Sequence, residues 1–325
     1  MKILAVDDDP CILELMPLLA AKSGFPNVTT ASSGQLALDT LANGDASFDC
    51  LLLDINMPGM DGIELCKRVR RLEAYRTTPI IMLTAMSERE YIDRAFKAGA
   101  TDYATKPFDI SELGARLRVA QELVIARREA EMAKDSQAAS GSAINQMHGF
   151  DLSEVIRIEG AQALVDFVSL KNYLKQISGA GLAASHVIAV KVDRIEEFYA
   201  RATTEEFTYA LHEVAYAINE VLRTIGGLIS YAGNGIFVVV SNSAAPLSSS
   251  EIESEVQHLL DEKNSEYDCG APLDIEVSVG NPIQPNFSDV ADMPKSVERA
   301  IARAETRSLT KPDRPLTVNI RRCGP

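Results

Sequence analysis

The chain is poor in several features that mark whole classes of function. Basic residues are scarce: Lys+Arg number 32 against 46 Asp+Glu, for a formal net charge of −14. An excess of that sign repels phosphate backbones and anionic lipid heads, so neither nucleic acid nor membrane is expected as a partner. The five cysteines (Cys11, Cys50, Cys66, Cys269, Cys323) are odd in number, scattered, and form no Cys-x-x-Cys. That pattern points to free thiols in a reducing cytosol and away from a disulfide framework or zinc site. No run of about 18 apolar residues occurs, so no bilayer-spanning helix is expected. The opening MKILAVDDDP turns acidic too soon for the apolar core of a secretion signal. The expectation is an acidic, soluble, cytoplasmic protein.

What is present is a globular mixture, 46% hydrophobic and 24% charged over 325 residues, enough for two domains at roughly 100–200 residues each. From Met1 to about Gln121, short apolar runs (ILAV, VTTA, DCLLLDI, PIIMLTA, TDYAT) alternate with amphipathic stretches such as LALDTLAN, IELCKRVRRL, YIDRAFKAG and ELGARLRVA. Runs such as LLLDI and IIMLT are apolar at successive positions, as in strands buried on both faces. The alternation predicts an α/β domain over residues 1–121, a doubly wound parallel sheet of five strands.

The last helix of this domain reads on through ELGARLRVAQELVIARREAEMAKD. Leu113, Leu117, Ala120 and Val124 keep a 4-3-4 spacing that a dimer seam would use, until Arg127 and Glu131 interrupt it. A solvated connecting helix is the alternative. SQAASGSAINQ, from Ser136 to Gln146, is small and polar and reads as a hinge or linker; residues 122–160 are therefore assigned to a connection. Residues 161–325 read as an α+β domain. Helices are expected over 161–177, 205–223, 251–260 and 294–306, and strands over 186–192, 274–279 and 316–320. A hairpin over 228–240 turns at Gly233-Asn234-Gly235.

In the first domain the ionisable residues sit at strand ends. Asp7, Asp8 and Asp9 follow ILAV, Asp54 follows LLL, Thr84 follows IIML, and Lys106 follows DYAT. In an open parallel sheet the carboxyl ends of the strands line the ligand crevice. Carboxylates gathered there repel one another and call for a cation, and hard oxygen ligands on a partly open site suit Mg²⁺ or Mn²⁺. A carboxylate beside such an ion is a nucleophile toward phosphorus. Asp54 is the candidate nucleophile. Asp7 and Asp8, with Asp54 and the backbone carbonyl of Asn56, would hold the metal, Lys106 would grip the phosphoryl group, and Thr84 would offer its hydroxyl. An Asp after a strand is most often a turn former or helix cap. Four strand ends each supplying the right type weigh against that explanation here, and Asp9 is read as a loop acid, with a supporting role behind the metal ligands as the alternative.

VDDD, LLLDINMPGMDG, IMLTA and GATDYATKPF resemble the receiver domain of bacterial two-component response regulators. The resemblance covers residues 2–120 and fills each family position. It implies Asp7/Asp8 as the acidic pair, Asp54 as phosphoacceptor, Thr84 and Tyr103 as the switch pair, Lys106 as the family lysine, and a cis peptide before Pro107. It further implies phosphotransfer from a sensor histidine kinase and rearrangement of the fourth-helix face. The same stretch is similar to receivers that form homodimers through helix four, strand five and helix five; Asp102, Arg116 and Arg118 are then interface ion-pair candidates, with an ordinary charged surface as the alternative.

GAQALVDFVSLKNYLKQI, HVIAVKVDRIEEF, LISYAGNGIFVVV, DIEVSVG and SVERAIARAE resemble, in order, a diguanylate cyclase (GGDEF) domain, and Gly226-Gly227 with Gly233-Asn234-Gly235 resembles class III nucleotidyl cyclases. Both chemistries need an acid at the first strand and another in the hairpin loop. Asp193 fills the first place, but the loop reads Gly233-Asn234-Gly235-Ile236, with no carboxylate. Thr208 stands where a guanine-binding acid belongs, Ser230 where a base-reading lysine would be, and no Arg-x-x-Asp follows at Arg223. Asp193 has a helix cap as its plainer role, and Cys269 and His258 have no partners in sequence. The expectation is a response regulator whose output is a catalytically inactive cyclase-like domain acting on a protein effector not identified by sequence. An active or nucleotide-binding cyclase with atypical residues is the alternative.

Overall fold

Strands wholly lacking polar faces must be covered on both sides, and the first half of the chain meets that demand with helices between every pair of strands. The computed structural model describes residues 1–43, 47–85, 89–139, 148–158, 161, 164–176, 185–223, 226–241, 248–263, 265–270, 272–285 and 293–312. It divides into two units, Met1–Ile144 and Asn145–Pro325.

The first unit runs β1 (Ile3–Val6), α1 (Pro10–Lys22), β2 (Val28–Ala31), α2 (Gly34–Ala42), β3 (Cys50–Asp54), α3 (Gly62–Arg71), β4 (Ile80–Thr84), α4 (Arg89–Lys97), β5 (Asp102–Thr105) and α5 (Ile110–Ala139). All neighbours are parallel, in the order β2-β1-β3-β4-β5. This is the flavodoxin-like doubly wound sheet the alternation predicts, with its switch point between β1 and β3. Asp9 is not an idle loop acid. Its carboxylate accepts the Cys11 N–H at 2.8 Å and caps α1, just before Pro10.

Two expectations for α5 change. Leu113, Leu117 and Ala120 do not form an exposed seam, because they are buried against Ile3, Leu52 and Ile81 in the sheet core. The helix also continues through Ser136–Ala139, where the linker was expected. Its second half is tied to the loops at the opposite edge of the first unit's sheet by Arg128 on Asp49 Oδ1 (2.5 Å) and by Arg127 donating to the Thr77 carbonyl. Arg116 pairs with Asp102 of the same chain at 3.2 Å, so this ion pair is internal, while Arg118 is exposed.

The second unit contains α6 (Phe167–Gln176), β6 (His186–Val192), α7 (Ile195–Arg201), α8 (Thr204–Leu222), β7 (Gly227–Tyr231), β8 (Ile236–Ser241), α9 (Ser249–Lys263), β9 (Val277–Val279) and α10 (Met293–Thr310). The strands are antiparallel in the order β7-β8-β6-β9. α6 starts later than expected because Asp166 accepts the Val168 N–H and starts the helix there, while Leu164 bridges to Ile229. β9 is shorter than expected: Gln257 takes the Ile275 carbonyl and Val277 N–H that an earlier ladder would use. The strand expected over 316–320 lies outside the described residues. Cys11, Cys50 and Cys66 are free thiols, but Cys269 is disulfide-bonded, against the expectation of free thiols throughout.

Candidate functional site

Parallel pairing puts the ends of β1 and β3 side by side, with Val6 opposite Leu53. Asp7 and Asp54 therefore meet at the sheet's carboxyl edge, both buried, while the neighbouring Asp8 is exposed. Their carboxylate oxygens, with one from Asp8, lie within 4.8 Å of one another. Lys106 follows β5, and the Lys106–Pro107 peptide is cis; the Lys106 Nζ lies 2.7 Å from Asp54 Oδ1 and 2.7 Å from Asp7 Oδ2. The Asp9 N–H holds the other Asp7 oxygen at 3.0 Å. Asn56 is an exposed loop residue just past β3, and Thr84 is buried at the end of β4. Tyr103 is buried edge-on to Phe96, with the Arg116 guanidinium 5.7 Å from its ring centre.

Electrostatics separate the two sides of this cluster. Burial pushes the Asp54 carboxyl up from its ordinary range, the Lys106 ammonium pulls it back, and the charges of Asp7 and Asp8 push it up again. Burial alone would lower Lys106. Its hydrogen bonds to Asp54 and Asp7, and their charges, outweigh that and raise it. One ammonium thus faces several carboxylates and cannot neutralise them all. The donor set, three carboxylates with hard oxygens and one of them open to solvent, fits a divalent cation such as Mg²⁺.

Sequence reading assigned no role to Asp61 and Gly62. Asp61 accepts the Glu64 N–H at 2.7 Å and caps α3. A Cβ on Gly62 would stand 2.0 Å from the Asp54 carbonyl oxygen, so only glycine lets the start of α3 close over the carboxyl end of β3. The Asp-Gly pair directly before an amphipathic run was the available signal.

In the second unit, Asp193 is buried at its carboxylate and follows β6. It is not a helix cap: Arg194 occupies that position before α7. Its oxygens accept from Ser278 Oγ (3.0 Å) and Ser308 Oγ (2.5 Å), and Lys311 Nζ lies 3.5 Å away while donating to the Val277 carbonyl at 2.7 Å. A mixed-charge cleft of about 350 Å³ opens beside it, lined in part by Lys191, Arg194, Glu276 and Leu309. The hairpin turn is left-handed at Gly233, Asn234 and Gly235. It is also covered. The Asn234 N–H donates to the Leu152 carbonyl at 2.8 Å, a Cβ on Gly233 would meet Ser153 O at 2.4 Å, and one on Gly235 would meet Ile195 at 2.6 Å. Ile236 is core. Thr208 donates its hydroxyl back to the Thr204 carbonyl, Ser230 is buried, and His258 pairs on the surface with Glu262.

Residues 3–118 match the response regulator receiver domain family. The chemotaxis protein CheY-3 of Vibrio cholerae is 41% identical over 117 residues, spanning 36% of this chain and 88% of that protein. The transcriptional regulatory protein ResD of Bacillus subtilis is 39% identical over 118 residues, 36% of this chain and 46% of that protein. Among solved structures, the chemotaxis response regulator CheY4 of Vibrio cholerae aligns at TM-score 0.33 and 35% identity, covering 38% of this chain and 97% of that one. The family match lies wholly within the first unit.

Proposed function

The chain belongs to the response regulator receiver domain family, and from that membership we propose that Asp54 accepts a phosphoryl group from a sensor histidine kinase and that the second unit passes the signal on without catalysis. One observation carries the first half: Lys106 Nζ lies 2.7 Å from both Asp54 and Asp7, with Asp8 completing a cluster of three carboxylates. An Asp54 oxygen attacks phosphorus, the phosphorus–nitrogen bond of the phosphohistidine breaks, and its electron pair returns to the imidazole. Asp7, Asp8, Asp54 and the Asn56 carbonyl would hold a divalent ion. When bound, that ion neutralises charge developing on the transferred group. Lys106 follows the negative charge onto the acyl phosphate, and Thr84 and Tyr103 are the switch pair that senses it. Incubating the full chain with a phosphorylated kinase or acetyl phosphate and Mg²⁺ tests this: one acid-stable, base-labile phosphoryl group is expected, and equal labelling of Asp54→Asn sinks the assignment.

The second unit is a cyclase-like output that has lost its chemistry. Its strand order, the second-third-first-fourth arrangement of a β-α-β-β-α-β sheet, supports the likeness. Against catalysis stand a turn without a carboxylate, a turn already covered by Leu152 and Ser153, and an Asp193 whose charge is met by two hydroxyls and Lys311. Such a unit acts by contact with a protein effector. GTP or ATP turnover with Mn²⁺ that Asp193→Ala abolishes is the result that contradicts it.

A further inference from the structure

Arg116 is a largely buried cation, its side chain 15% exposed, that the phosphoryl chemistry does not use. It rises from a fixed base. Leu113 and Leu117, three positions before it and one after, are both core residues, so α5 cannot turn about its axis there. Its guanidinium reaches back to β5, where NH1 meets both Asp102 oxygens at 3.2 and 3.3 Å, and NH2 pairs with Glu112 one turn earlier. Asp102 is itself held, because its Oδ1 also accepts the Tyr103 N–H at 2.8 Å. Two carboxylates therefore set the place of the guanidinium, and it lies over the Tyr103 ring, 5.7 Å from the ring centre. The same ring meets Phe96 of α4 edge-on at 6.4 Å, and Phe96 is fully buried. Burial pushes the Tyr103 hydroxyl up from its ordinary range, and of the charges acting on it that of Arg116 comes first. Among the described residues nothing accepts from the buried Arg116 Nε–H. A buried donor left unpaired is unfavourable, so the guanidinium sits where the carboxylates and the ring place it, not where all its own donors are best satisfied.

We propose that Arg116 is a positioning residue for the switch: it holds the Tyr103 ring in its buried place before phosphoryl transfer, so that Thr84 is the member of the pair left to move. What the ring does rests on the receiver reading above; where Arg116 holds it does not. A ring already seated leaves every resting chain competent for the phosphorylated state. A ring free to leave divides the resting chains into seated and unseated forms, and the apparent affinity for a phosphoryl mimic falls by the seated fraction. Lysine cannot take over this task, because an ammonium has no planar fork to span Asp102 and Glu112 while lying over a ring.

The ring can be followed directly in the full chain. Tyrosine is ring-labelled with carbon-13, and the magnetic resonance spectrum of Tyr103→Phe identifies the Tyr103 signal among the nine tyrosines. In the wild type that signal is expected to stay in place when Mg²⁺ and beryllofluoride are added, while the Thr84 amide responds. In Arg116→Met it is expected to move, at rest, to the position of an exposed tyrosine and to return with beryllofluoride, whose apparent affinity read at the Thr84 amide drops about tenfold. Arg116→Lys is expected to follow the methionine variant. Because Arg116→Met leaves the buried Asp102 without this cation, Arg116→Met/Asp102→Asn removes that charge too, and the same ring shift with a wild-type melting temperature is expected. A resting ring signal unchanged in both methionine variants overturns the proposal, as does a wild-type ring that crosses the same span when beryllofluoride binds. If the wild-type Thr84 amide is silent, the receiver reading fails, and the resting spectra of the two variants decide the role of Arg116 on their own.

Discussion

Each unit buries an aspartate at the end of a strand next to its sheet's switch or centre, and each aspartate has a lysine, yet the two sites are opposite in character. Asp54 has Lys106 at 2.7 Å but shares it with Asp7, and Asp8 adds a third negative charge. Asp193 has Lys311 at 3.5 Å and, in addition, hydroxyl donors from Ser278 and Ser308. The first cluster is left short of positive charge, which fits it for a cation and, on the proposed function, for an electrophile. The second is closed by the protein's own donors and serves to tie α10 and β9 to β6. A strand-end acid is therefore reactive or structural according to what surrounds it, not by its position alone.

The comparison can be broken at several points. The largest effect is on phosphoryl uptake: Asp54→Asn is expected to lose label by on the order of a hundredfold or more, while Asp193→Asn stays at wild type in the same gel or mass assay. Next is the response to Mg²⁺. At about a hundred times its dissociation constant the ion adds about 2.7 kcal/mol, seen as a rise in melting temperature that Asp8→Asn removes and Asp193→Asn keeps. Gly62→Ala forces a Cβ onto the Asp54 carbonyl and is expected to cost about 1–3 kcal/mol in denaturant unfolding. Lys311→Met leaves the Asp193 carboxylate short of its cation and is expected to cost about 1–2 kcal/mol, with phosphoryl uptake untouched.

The smallest effect is in pH. Because the Asp54 carboxyl is raised in the folded state, its contribution favours the fold below its unfolded value near 3.8 and is lost as pH rises through the folded value. Asp54→Asn is therefore expected to melt a few degrees above wild type at neutral pH, with the gain vanishing toward pH 4. A gain that persists in acid contradicts the burial argument.

The first unit was almost fully legible because its signals reinforce one another. Apolar runs such as LLLD and IIMLT have one stable environment, a covered parallel sheet, and the same runs deliver Asp54 and Thr84 to one edge. What escaped notice there was steric: nothing in the letters says how closely Gly62 approaches the Asp54 carbonyl. Leu113 and Leu117 misled because a heptad seam and a core-facing stripe share the same spacing. In the second unit the hairpin at Gly233-Asn234-Gly235 was plain from its turn chemistry. The fate of Asp193 was not, since Ser278, Ser308 and Lys311 lie 85, 115 and 118 positions away. The disulfide at Cys269 was hidden for a similar reason, cysteine spacing alone carrying no pairing.

Counting bound Mn²⁺ by the loss of its free-ion resonance tests the contrast most directly, on the full chain and on three variants. One ion per chain is expected, abolished in Asp8→Asn, weakened in Asp54→Asn and unchanged in Asp193→Asn. An ion that survives loss of Asp8 but disappears with Asp193, or a second ion per chain that GTP tightens, contradicts the account.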